Sequence, residues 1–127
     1  MLAAVDANAI ALERADGGVA VVRLEGEHDI YTAPELRERI YSVISDGSPL
    51  VIDLSTATFV DSSVLGVLLG ARGRAHAAGL GFAVCPLDGL EPGVKRVLEV
   101  TGLMPVLPVL ARDAAVEAAR AGPEPSS

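Results

Sequence analysis

Apolar residues change their spacing repeatedly along this chain, and each change marks an element. Ile10 to Leu12 and Val19 to Leu24 are β-type runs separated by Asp16-Gly17-Gly18, the turn chemistry of a hairpin. Gly26 to Tyr31 reads as a polar loop that holds Glu27, His28 and Asp29. Thr32-Ala33-Pro34-Glu35 is a helix start, with Thr32 or Ala33 near the cap and Pro34 in the first turn. Leu36, Ile40, Val43 and Ile44 then supply an apolar stripe that ends by Gly47. Pro49 to Leu54 is apolar without alternation, as expected of a strand buried on both faces. After a short polar connection, a second helix is predicted from about Ser62 to Ala78, stopped by Gly79.

Gly81 to Cys85 is the next strand and Gly93 to Val100 a third helix, closed by Gly102. Val106 to Leu110 reads as a last strand, confined by Pro105 and Pro108 to an edge or a very short ladder. Ala111 to Ala121 is an alanine-rich final helix, and residues 122–127 are expected to be a disordered tail. The order β-β-α-β-α-β-α-β-α implies one α/β domain over residues 1–121, with its core at about 8–120. Its sheet is mixed but mostly parallel, with an N-terminal β-hairpin and about four crossover or terminal helices packed on it. Gly66 and Gly70, inside the second helix, read as small residues permitting close helix–sheet packing.

Composition narrows the classes of function. Half of the 127 residues are hydrophobic but only 3% are aromatic, so Val, Leu, Ile and Ala must build the core. With 17 acidic against 10 basic residues the formal charge is −7, a surface that repels phosphate backbones and argues against nucleic acid. Cys85 is the sole cysteine, which excludes an intrachain disulfide and reads as a small apolar strand residue in a reducing compartment. The N-terminus lacks a basic n-region, and the most apolar window, Val60 to Leu69, is too short to span a bilayer. A cytoplasmic chain without membrane contact is therefore expected, and the proline-marked edge favours a monomer when free.

The stretch richest in chemistry is Val60-Asp61-Ser62-Ser63-Val64, placed where a helix begins. Unpaired backbone N–H groups there favour a hydroxyl cap and tolerate negative charge. A serine at that place can cap, attack, bind phosphate or be phosphorylated. Attack needs a base, and His76 lies about 20 Å further along the helix axis. His28 is in the loop after the second strand, but no G-x-S-x-G elbow surrounds Ser62. Glu27, His28, Asp29, Asp53 and Asp61 fall at strand ends, yet their spacing matches no metal signature, and no glycine loop for a nucleotide is present. Capping is the commonest use of such a serine; phosphorylation is the alternative that the residues leave open.

Val51-Ile52-Asp53-Leu54-Ser55-Thr56-Ala57-Thr58-Phe59-Val60-Asp61-Ser62-Ser63-Val64-Leu65-Gly66-Val67-Leu68-Leu69 resembles the signature of the STAS domain, in particular that of bacterial anti-sigma factor antagonists. The likeness includes Leu24-Glu25-Gly26-Glu27-His28-Asp29-Ile30-Tyr31-Thr32-Ala33, similar to the family's Gly-Glu-x-Asp loop, and Val97-Leu98-Glu99-Val100-Thr101-Gly102-Leu103. It implies a partner switch. The unphosphorylated antagonist binds an anti-sigma factor that is also a serine kinase, which frees the sigma factor. The kinase, using its own ATP, phosphorylates the serine after the aspartate, the complex dissociates, and a phosphoserine phosphatase resets it.

By position the acceptor is Ser62, with Ser63 in the neighbouring hydroxyl place, and Asp29 and Asp61 flank the docking surface. The resemblance implies no enzyme, cofactor or metal in this chain. It departs from the family at Val64, where most members have glycine, and the expected consequence is added bulk beside the acceptor. A STAS scaffold of a stress-signalling complex, or a subunit of a transport system, is the other reading the resemblance allows.

Overall fold

The longest strand, Ala20–His28 (β2), organises the sheet because three strands hydrogen-bond to it. The computed structural model describes residues 8–123. Asn8–Arg14 (β1) runs antiparallel beside β2, from Asn8 opposite Gly26 to Arg14 opposite Ala20. A short 3₁₀ turn, Asp16–Gly18, joins the two strands. Gly17 and Gly18 both have φ +76°, the left-handed region that glycine enters without a Cβ clash. Leu50–Asp53 (β3) pairs in parallel with the first half of β2, and Ala57–Val60 (β4) pairs in parallel with its end. Phe82–Cys85 (β5) lies on the other side of β3, so the order is β1-β2-β3-β5 with β4 beside β2.

Four helices complete the fold: Ala33–Ser45 (α1), Ser62–Ala77 (α2), Pro92–Val100 (α3) and Arg112–Ala121 (α4). Strand alternation sorts the layers. Ala20, Val22, Leu24, Leu50, Ile52 and Val84 share a core with the apolar stripes of α1, α2 and α3. Val19, Val21, Val51, Ala83 and Cys85 point the other way and meet Ala115 and Ala119 of α4. The uninterrupted apolar run of β3 thus reflects burial on both faces, as expected.

Three local expectations change. Gly26 to His28 are not loop but the end of β2, because β4, hidden in the supposed polar connection, provides their hydrogen-bond partners. Thr56 makes the hand-over: its carbonyl accepts from Gly26 N–H at 3.0 Å and its hydroxyl donates to the Leu24 carbonyl at 3.1 Å. Only Ala57 and Val60 of β4 are buried, so its sequence lacks the apolar density of a core strand. The expected strand at Val106 to Leu110 reduces to a single parallel bridge between Val109 and Val84. Pro105 and Pro108 have no N–H to extend that ladder.

Gly66 and Gly70 do not pack on the sheet. Both are exposed, and Gly66 faces nothing within 4 Å. Of the expected tail, residues 124–127 lie outside the described residues.

Candidate functional site

Where β4 ends at Val60, Asp61 takes an extended backbone (φ −113°, ψ −177°) and α2 starts at Ser62. The Asp61 carboxylate caps the helix: Oδ1 accepts from Val64 N–H at 3.1 Å. The cap expected of a serine hydroxyl therefore falls to the aspartate. Ser62 becomes the first helical residue and is exposed, with no hydrogen-bond partner for its hydroxyl among the described residues. Ser63, beside it, is half-buried.

The second oxygen of Asp61 points away from the helix. Oδ2 accepts from Ile30 N–H at 3.1 Å, which ties the β2–α1 loop to the start of α2. Asp29 orders the same loop from within. Its Oδ1 accepts from Tyr31 N–H at 2.9 Å, and its carbonyl accepts from Thr32 N–H at 3.0 Å and Ala33 N–H at 2.9 Å. The fold thus brings Asp29, Asp61, Ser62 and Ser63 to one end of the sheet, just beyond the C-terminal ends of β2 and β4. Helix N-termini and strand ends meet there.

Val64 does not join them. Its side chain is fully buried in the core beneath α2, so the expected bulk beside the acceptor lies inside the protein instead. A partner can sense Val64 only through the packing under the helix. What reaches the surface from the neighbouring loop is a pair of residues that the sequence reading passed over as part of a polar segment. Ile30 is 61% exposed and Tyr31 88% exposed. Two apolar residues in a row inside a loop flanked by acids was the available signal.

Neither histidine is placed to serve Ser62 as a base. His28 is fully buried, with Nε2 2.9 Å from the Glu25 carbonyl and Nδ1 3.2 Å from the Thr32 hydroxyl. The Glu25 carbonyl can only accept, so Nε2 donates to it, while Nδ1 lies beside the Thr32 hydroxyl, which also reaches the Asp29 carbonyl at 3.2 Å. Both nitrogens are engaged, and His28 pins the end of β2 to the start of α1. His76 is exposed near the C-terminal end of α2, far from Ser62 along the helix.

Asp53 is equally remote in role: it is buried, accepting from Ser55 N–H at 2.8 Å and from Arg112 Nη1 at 2.8 Å. Burial, reinforced by the Asp53 charge, pushes the Cys85 thiol from its ordinary value of 9.0 up to about 12, so it is an inert strand residue. Among the described residues no three His, Cys, Asp or Glu side chains converge to hold a metal ion.

The chain as a whole, with its β-β-α-β-β-α-β-α-α order, matches a known family. The family model described as the STAS domain matches residues 10–115. The chain belongs to the STAS domain family.

Within it, this STAS domain is 35% identical over 94 residues to an anti-sigma F factor antagonist of Paenibacillus polymyxa, covering 72% of this chain and 78% of that protein. A crystal structure of an anti-sigma factor antagonist from Mycobacterium paratuberculosis superimposes with a TM-score of 0.73 at 34% identity, over 94% of this chain and 99% of that one. The Bacillus cell fate determinant SpoIIAA, solved in its phosphorylated form, superimposes with a TM-score of 0.63 at 26% identity, over 86% of this chain and 97% of that one. No described helix of this STAS domain is long and apolar enough to cross a membrane.

Proposed function

We propose that this STAS domain is an anti-sigma factor antagonist. Unphosphorylated, it binds a serine-kinase anti-sigma factor and so frees a sigma factor; phosphorylation of Ser62 ends the contact. The observation that carries this reading is the exposed Ser62 hydroxyl at the first position of α2, left free because Asp61 supplies the cap. The anti-sigma factor antagonists among its relatives support the partner class. A structural relative solved in phosphorylated form supports the chemistry.

In the transfer, Ser62 Oγ forms a bond to the γ-phosphorus of the partner's ATP, and the bond to the ADP oxygen breaks. The hydroxyl proton passes to a base of the kinase, since both nitrogens of His28 are engaged. The product carries about −1.5 to −2 extra charge. The N-terminus of α2 favours a negative group there, so the domain accommodates it without refolding. A partner packed over the apex meets a hydrated dianion beside Asp29 and Asp61, and release follows from sterics and desolvation. A phosphoserine phosphatase restores the binding form.

The test is incubation of the chain with purified serine-kinase anti-sigma factors of its source organism and ATP. Mass spectrometry is expected to find one phosphate, on Ser62, and none in Ser62→Ala. Phosphate elsewhere, undiminished in Ser62→Ala, rejects the assignment.

A further inference from the structure

Ile30 and Tyr31 are exposed on a loop whose backbone N–H groups are tied down. Ile30 N–H is held by Asp61 at 3.1 Å, Tyr31 N–H by Asp29 at 2.9 Å, and Asp29 N–H by the Thr32 hydroxyl at 3.0 Å. The Thr32 hydroxyl in turn meets the buried ring of His28. Turning Ile30 or Tyr31 inward requires breaking this set. The ordering entropy of presenting the two side chains is thus lost on folding rather than on binding, which is the condition for a preorganised contact.

We propose that Ile30 and Tyr31 are the apolar anchor by which the kinase anti-sigma factor grips this face. Asp61 and Asp29 are positioning residues that act through that anchor. This rests on the reading of Ser62 as phosphoacceptor. The Asp61 carboxylate joins the Ile30 backbone to the first turn of α2, so anchor and acceptor hydroxyl move as one unit. An apolar hollow on the kinase, close to the γ-phosphate of its ATP, is the complementary surface.

A partly aliphatic, partly aromatic pair supplies the desolvated contact area on which interface energy concentrates, and Tyr does so at small side-chain entropy cost. Both aspartates spend their side-chain hydrogen bonds on this chain's own backbone. Loss of either carboxylate therefore acts by freeing the loop. A phosphate on Ser62 then places strong hydration next to a contact that must be dry to bind.

The experiment compares steady-state phosphorylation of full-length variants by the kinase that phosphorylates the wild-type chain. For Ile30→Ala/Tyr31→Ala the expected result is a KM raised about tenfold or more, with kcat and the melting temperature near wild type. Asp61→Asn has one acceptor oxygen for two N–H groups, so it cannot hold Val64 and Ile30 together. It is expected to raise KM less and to speed hydrogen exchange at the Ile30 amide. In the Ile30→Ala/Tyr31→Ala background it is expected to add no further rise in KM.

An unchanged KM in Ile30→Ala/Tyr31→Ala overturns the anchor. An undiminished Asp61→Asn effect in that background means the carboxylate meets the partner directly, which overturns the positioning role. If no kinase phosphorylates wild-type Ser62, the functional reading itself fails, and the anchor fails with it.

Discussion

Arg112, in the first turn of α4, reaches Asp53 at the end of β3 with Nη1 2.8 Å from Oδ2, although the two residues are 59 apart in sequence. The Asp53 side chain is 3% exposed and that of Arg112 44%. This pair, with the small apolar contacts of Ala115 and Ala119, holds α4 on its own side of the sheet. Removing the arginine leaves a buried carboxylate with the Ser55 N–H and the Cys85 thiol but no charged partner. Arg112→Met is therefore expected to cost about 1–3 kcal/mol in urea denaturation, the partial exposure of the guanidinium setting the lower end. Adding Asp53→Asn is expected to recover part of that loss, a coupling readable from a double-mutant cycle.

The helix cap gives a prediction in which two replacements of one residue diverge. Asp61→Ala removes the acceptor for Val64 N–H and is expected to destabilise the domain by about 1 kcal/mol. Asn caps as well as Asp but has one acceptor oxygen, so Asp61→Asn is expected to keep the Val64 cap, lose the Ile30 bond, and cost less than Asp61→Ala. Equal losses for both in chemical denaturation would show that the Val64 cap contributes nothing beyond what the carboxylate gives through its charge and its bond to Ile30.

Two glycines are expected to respond to alanine with opposite signs. A methyl at Gly81 falls 2.8 Å from the Ala119 Cα, against backbone that cannot yield without lifting α4. Gly81→Ala is expected to destabilise by about 1–3 kcal/mol and to raise hydrogen exchange across α4 first. Gly66 is an exposed helical position with nothing within 4 Å. There Gly66→Ala is expected to stabilise the free chain by about 0.5–1 kcal/mol. A denaturation series on both variants checks the pair.

Cys85 makes stability depend on pH in a defined window. The folded thiol titrates near 12 against an ordinary 9.0, so above about pH 9 the unfolded chain loses the proton first and binds fewer protons than the native state. Stability is unaffected by this group below pH 9 and falls between 9 and 12, by up to about 1.4 kcal/mol per pH unit. The contribution is the difference between wild-type and Cys85→Ala denaturation curves over that range. The same burial predicts slow alkylation of the native thiol at pH 8.

The sequence by itself determined the layers and the site's address. Its periodicities set four helices and the principal strands close to where they lie, and the apolar run of Leu50 to Leu54 announced a strand covered on both faces. Asp61-Ser62-Ser63 marked the start of α2 because local turn chemistry and the following apolar period are both written in adjacent residues. Only the tertiary structure decided what depends on partners distant in the chain. β4 exists because β2 provides hydrogen bonds that its own half-exposed residues do not advertise, and Val106 to Leu110 fails as a strand because Val106 and Leu107 N–H turn back to the Leu103 carbonyl and Pro108 has no N–H to give a ladder. His28 and Asp53, polar letters in sequence, are buried because Glu25, Thr32 and Arg112 satisfy them. Asp61 shows the division most plainly. Its place before the helix was legible, but a carboxylate shared between Val64 and Ile30 requires two loops that meet only after the sheet has formed.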